Sequence, residues 1–137
     1  MIGNHEFLNA FINNSSTIVE NAGSDIEKPA HKAVMYDENG DVVLANSGEK
    51  AIGVILSDSL DPIKKGKQVN ILIKYIGLLE AGEAIKKGDF ITINENGQGV
   101  TAESEDFIFC RAFTTVAEAG ECVQAQINPM GYMVNLK

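Results

Sequence analysis

The sequence predicts an all-β fold: a small β-barrel or sandwich of about seven to nine short strands, built from two similar halves and preceded by an N-terminal arm. Three observations predict it. Apolar residues fall in short runs bounded by glycine-containing turns; two Asn-Gly dipeptides, Asn39-Gly40 and Asn96-Gly97, each separate two such runs; and the succession of runs and turns occurs twice. Asn-Gly between apolar runs signals a hairpin because both residues tolerate the positive φ that a type I′ turn demands.

Residues 1–30 differ from the rest. "NNSS" and "NAGSD" are polar and turn-rich, and Phe7, Leu8, Phe11 and Ile12 share one helical face. This stretch is expected to be an arm, partly extended or a short helix, that either packs on its own domain or orders against a partner. Residues 31–137 are expected to form one β-barrel-like domain. There "AVMY" and "DVVLA" flank the turn at Asp37–Gly40, and "AIGVIL" at 51–56 follows. "VNILIKYIGLL" at 69–79 reads as one long strand with Val69, Ile71, Ile73 and Tyr75 on one face. "FITI" at 90–93, "FIFCRAF" at 107–113 and "VQAQIN" at 123–128 complete the set, the last with Val123, Ala125 and Ile127 alternating with Gln124, Gln126 and Asn128.

An internal echo links these runs. "DENG" at 37–40 aligns with "NENG" at 94–97, and "AIGVIL" with "IFCRAF" at 108–113, both at an offset of 57; "KKGKQVNILI" at 64–73 aligns with "EAGECVQAQI" at 118–127 at an offset of 54. Two copies are too few for a solenoid, which needs about three or more. Two units packed on each other instead shorten the exposed strand edges that a lone sheet would leave.

Three phrases repeat a glycine turn: "IKKGKQV" at 63–69, "IKKGDFI" at 85–91 and "AEAGECV" at 117–123. In each, apolar strand follows the glycine, so the glycine serves a turn and the lysines lie on its solvated side. A phosphate loop would need GxxxxGK[ST] leading into a helix, and the third phrase has no lysine at all.

The composition excludes several functions. The net charge of −8 over 137 residues opposes binding to a phosphate backbone. No apolar run approaches the roughly 20 residues that cross a bilayer, and the beginning of the chain has no leader-like pattern, so a cytosolic product, in contact with neither nucleic acid nor membrane, is expected. Cys110 and Cys122 lack CxxC spacing and are expected to be buried thiols, with a disulfide as the alternative.

Catalytic constellations fail on inspection. Asp37, Asn39 and Asp41 open like a calcium loop, but Val42 and Gly48 stand where glycine and glutamate are required. His5 and His31 are too few and too isolated for a triad or a zinc site. Glu103 and Asp106, in the acidic "ESED", read as a solvated loop. No cofactor, metal or enzymatic activity is expected. Arg111 breaks the pattern of "FIFCRAF": a guanidinium on the side of Phe107, Phe109 and Phe113 is either paired in the core or exposed at an interface.

The order "KAVMYDENGDVVLANSGEKAIGVILSDS", then "KKGKQVNILIKYIGLLEAGEAIKKGDFITINENGQGV", then "FIFCRAFTTVAEAGECVQAQI" resembles the capsid cement, or head decoration, proteins of tailed bacteriophages, over residues 30–128. The resemblance implies a virion protein on the capsid surface that binds the major capsid protein and stabilises the head, without catalysis. It also implies assembly as a homotrimer, with an N-terminal arm reaching neighbouring capsid subunits. Phe7, Leu8, Phe11, Ile12 and Arg111 are the candidate contacts with that partner. A reading from another class is a small-molecule or glycan-binding β-module that would use Tyr36, Tyr75 and Arg111 at a barrel mouth.

Overall fold

The computed structural model describes residues 14–133. Over them the chain forms ten β-strands: β1 (Thr17–Asn21), β2 (Ala33–Tyr36), β3 (Val42–Leu44), β4 (Gly53–Ile55), β5 (Gln68–Leu72), β6 (Tyr75–Glu80), β7 (Phe90–Ile93), β8 (Gly99–Thr101), β9 (Phe107–Ala112) and β10 (Cys122–Tyr132). They build two antiparallel five-stranded sheets, ordered β1-β5-β4-β2-β3 and β6-β10-β9-β7-β8. The second order is the first with every strand replaced by the one five places later. The two halves inferred from the sequence are therefore two copies of one topology, packed as a sandwich.

Register carries the correspondence to single residues. Val54 pairs with Ala33 and Leu72 in the first sheet, as Arg111 pairs with Phe90 and Gln126 in the second, and Thr17 faces Leu72 as Ile76 faces Gln126. Neither sheet closes into a barrel. Its two edge strands meet only at one parallel bridge, Ala22 to Val42 in the first half and Ala81 to Gly99 in the second.

Three local features differ from expectation. The Asn-Gly hairpins are not type I′ turns, since only Gly40 (φ 82°) and Gly97 (φ 75°) take positive φ there. Asp37 Oδ1 accepts the amides of Asn39 (2.8 Å) and Asp41 (3.0 Å), and Asn94 Oδ1 those of Asn96 (2.8 Å) and Gln98 (3.0 Å). That side-chain cap favours a longer loop closed by a left-handed glycine. "VNILIKYIGLL" is two strands: the chain breaks at Ile73-Lys74, Tyr75 takes φ 74°, and β5 and β6 enter different sheets. Finally, β1, inside the stretch 1–30, pairs with β5 along its whole length. Its polar flanks disguise a strand whose partner lies far along the chain.

The glycine phrases are turns. Four reverse turns, Pro29–Lys32, Lys64–Lys67, Lys86–Asp89 and Glu118–Glu121, are each closed by an amide-to-carbonyl bond from last residue to first, at 3.2, 3.0, 2.9 and 3.4 Å. Their third residues all have positive φ: His31 (58°), Gly66 (87°), Gly88 (95°) and Gly120 (93°). The near-identical "IKKGKQV" and "IKKGDFI" are not counterparts. The first precedes β5 and matches "AEAGECV" before β10; the second precedes β7 and matches the turn at His31 before β2. Histidine, which visits left-handed backbone more readily than most residues, there replaces glycine.

Two apolar clusters fill the molecule. Ala22, Ile26, Val34, Val42, Ile55, Val69 and Ile71 form the interior of the first half. The interior of the second half, including Leu79, Ile91, Cys110, Val123 and Ile127, is continuous with Ala33, Ala45, Ala51, Val54 and Leu72 from the other face of the first sheet. The first half thus caps an open end of the second. Leu72 Cδ2 occupies the space that a Cβ on Gly77 would fill, and Gly48 sits against Thr92 and the Phe107 carbonyl. Ala33 N–H donates to the Gly97 carbonyl (2.8 Å) and Glu80 N–H to the His31 carbonyl (2.9 Å).

Gly40 and Gly97 hold the same place in the two hairpins, which makes a test of the junction. A Cβ on Gly40 meets nothing within 4 Å, whereas one on Gly97 would lie 2.8 Å from the Ala33 carbonyl oxygen. Gly40→Ala is expected to cost about 1 kcal/mol from left-handed strain alone. Gly97→Ala is expected to cost about 3 kcal/mol, because overpacking adds to the same strain. Urea unfolding of the two variants measures the difference.

Candidate interaction surface

Alternation in β10 sets the outer face of the second sheet: Val123, Ala125 and Ile127 are buried while Gln124, Gln126 and Asn128 face solvent. The register then runs a row across four strands, Ile76 on β6, Gln126 on β10, Arg111 on β9 and Phe90 on β7, with Leu78 and Gln124 beside it. Ile76 and Leu78 are 50% and 41% exposed. Two large aliphatic side chains are held in water here by backbone geometry.

Arg111 lies on this exposed face. Its guanidinium is 5.0 Å from the Phe90 ring centroid, and Nε donates to the Gly88 carbonyl at 3.2 Å. Of the two settings open to it, the structure shows the exposed one. Phe109, two residues back on the same side of β9, is fully buried. The cover supplied by the first half therefore ends between Phe109 and Arg111, which is where a guanidinium becomes tolerable. Stacking on Phe90 is worth about 0.5–1 kcal/mol at such a site and fixes the planar head.

The remaining sequence candidates are dispersed. Phe7, Leu8, Phe11 and Ile12, with His5, lie outside the described residues. The Tyr36 hydroxyl donates to Glu20 Oε2 on β1, and that bond raises its pKa above the ordinary value. Tyr75 stands at the start of β6 with the Lys74 ammonium 5.2 Å from its ring centroid. Neither tyrosine nor Arg111 lines any of the three main clefts, so the set expected at a barrel mouth does not converge on one. Glu103 N–H donates to Asp106 Oδ2 (2.9 Å), which makes the acidic "ESED" a capped turn. Among the described residues no three His, Cys, Asp or Glu side chains gather as a metal site would require.

A cleft of about 350 Å³ at the junction is lined by Lys28, Ala30, Lys32, Ser59, Leu60 and Glu80. The β4–β5 loop that supplies Ser59 and Leu60 is longer than its counterpart between β9 and β10. The charge at the cleft floor is internally matched: Lys32 Nζ is 3.0 Å from Glu80 Oε2 and donates to the Lys28 carbonyl at 3.0 Å, and Gln98 Nε2 donates to the same Glu80 oxygen at 2.8 Å. Sequence reading missed this network because Glu80 and Lys32 belong to different halves. Glu80→Ala would leave the Lys32 ammonium, whose side chain is 9% exposed, with the Lys28 carbonyl but without its counter-charge. The expected cost is about 3 kcal/mol in chemical denaturation, with a smaller loss for Glu80→Gln, which keeps an acceptor.

The two cysteines part company. Both are free; Cys110 is buried, as expected, but Cys122 is exposed because it occupies an outward position at the start of β10. Burial pushes the Cys110 thiol far above its ordinary pKa. Cys122 is raised by partial burial and then by the negative charges of Glu80 and Asp58. Since the thiolate is the reactive form, a disulfide-exchange reagent is expected to modify Cys122 alone in the native protein. Its rate should rise at a higher pH than for an unfolded control, in which both thiols react. For both groups the neutral thiol is the form that folding favours, so stability is kept at low pH and declines as pH rises past about 8.5.

By its fold the molecule is a tandem-sheet all-β protein. No family model matches the sequence, and no curated protein matches it. Among solved structures, the fold is similar to that of the head fiber gp8.5 N base of bacteriophage phi29, at 23% identity over 82% of this chain and 92% of that one, with a TM-score of 0.59.

Proposed function

We propose that the protein is a structural accessory protein of a bacteriophage virion, which binds the major capsid protein on the outer surface of the head and stabilises the shell. The observation that carries this reading is the shared fold with a phage head fiber base, which extends over 82% of this chain and 92% of that one. The resemblance of residues 30–128 to capsid cement proteins points the same way. In this reading the protein needs no catalysis and no cofactor. It needs a rigid body and a segment that orders on docking, at an entropic cost offset by contact area and by repetition of the site over the lattice. Phe7, Leu8, Phe11 and Ile12 supply that segment, ahead of β1. A net charge of −8 keeps the free protein from adhering to DNA.

Cosedimentation with empty shells of the cognate phage tests the reading. Saturable binding at a fixed ratio to the major capsid protein is expected, with a higher melting temperature for decorated shells. Removal of residues 1–13, which spares β1, is expected to weaken binding at least tenfold. A protein that stays in the supernatant at every concentration, or binds shells without saturating, would refute the proposal.

A further inference from the structure

The junction between the halves is a head-to-tail contact. The outer face of the first sheet, with Ala33, Val54 and Leu72, covers a socket in the second half that includes Gly77, Ile93, Gly97 and Ile127. Register gives each of these residues a counterpart in the other half. The counterparts of the covering face are Phe90, Arg111 and Gln126, beside Ile76 and Leu78; Arg111 and Gln126 are exposed, and Phe90 is half-buried under the Arg111 guanidinium. The counterparts of the socket are Ile18, Tyr36, Gly40 and Ile73 of the first half. Of these Tyr36 is 44% exposed, and Ile18 and Ile73 are only partly buried. Each chain therefore presents one unused covering face and one unused socket of a contact that it already makes once within itself.

We infer that these two surfaces take each other between chains: the Arg111 face of one copy docks on the Tyr36 socket of a second copy. This interaction goes beyond the capsid-binding reading and does not depend on it. Charge favours a second copy over any other occupant. Within the chain, β4 packs on β6 across the junction, in the apolar cluster that holds Val54 and Leu79. Between chains the corresponding strands are β9, which carries Arg111, and β1, which carries Glu20. The position of Leu79 corresponds to Glu20, since Leu79 faces Val123 as Glu20 faces Val69. Two positions that are apolar in one cluster inside the molecule, Val54 and Leu79, are thus held on the free surfaces by groups of opposite charge, Arg111 and Glu20. Arg111 is the sole arginine of a chain of net charge −8, and it stands on this face. An aromatic and arginine centre with glutamine around it has the composition of a contact between independently soluble chains.

Such a contact joins unlike surfaces, so it closes into a ring or continues as a filament, whereas a two-fold contact stops at a dimer. Sedimentation velocity with two blocked variants tests it. Leu78→Glu blocks the covering face, and Tyr36→Glu blocks the socket; both sites are exposed, and circular dichroism melts confirm folding of each. Wild-type protein is expected to sediment above the mass of one chain at micromolar concentration. Each variant alone is expected to run as one chain, and an equimolar mixture as two chains, because one intact face then meets one intact socket. Failure of the mixture to pair would show that any self-association is not head-to-tail and would overturn the inference. So would a wild-type protein that remains a single chain up to about 1 mM, a weak-contact limit near −4 kcal/mol. In that case loss of shell binding by Leu78→Glu would assign the face to the capsid, and loss by neither variant would leave it bare.

Discussion

A five-stranded sheet curled until its edges touch at one bridge has an apolar interior and an open end, and closing that end of the second half is the constraint on which the rest of the structure depends. The first sheet supplies the closure by being apolar on both faces. Val34, Ile55 and Ile71 point into its own interior, while their neighbours Ala33, Val54 and Leu72 point into the other half. Consecutive residues of a strand face opposite ways, so a run such as "GVI" in β4 is buried throughout only because both sides are occupied. Glycines mark the places where approach is closest. Gly77 leaves room for Leu72, and Gly97 lets a hairpin tip reach the Ala33 carbonyl.

Duplication accounts for the architecture, and divergence accounts for its asymmetry. The copies keep the topology, the side-chain-capped hairpins and the left-handed turn positions, which are backbone requirements. They differ where the environment differs. Val54 is buried in the junction, whereas Arg111 at the corresponding place is exposed and stacked on Phe90. The first half also carries the longer β4–β5 loop, and with it the cleft above the Lys32–Glu80 pair. Since that pair spans the junction and is largely desolvated, it fixes the orientation of the halves more than it adds to their net attraction.

Ionisable groups are numerous but spread out, and those near one another are engaged in turns and caps. Asp37, Asp89 and Asp106 accept from nearby backbone amides, and Glu121 accepts from both Ala117 and Glu118. Carboxylates used in this way stabilise the local backbone. The chemistry of the described residues is that of surfaces: an aromatic-arginine row on one sheet, partly buried isoleucines at the mouth of the other, and acidic loops between.

By itself the sequence determined whatever depends on neighbours along the chain: β2, β7 and β9 from their apolar runs, the six-residue alternation within β10, turns at each glycine phrase, and the twofold repeat. It also held the oddity of Arg111, although not its resolution. Tertiary structure alone decided the rest. β1 is a strand because β5 lies beside it, and "VNILIKYIGLL" divides because its two ends pair in different sheets. Cys122 and Arg111 are exposed because the first half covers one part of the second sheet and stops short of them. Burial is a property of what packs from outside a strand, and no pattern of residues within the strand carries that information.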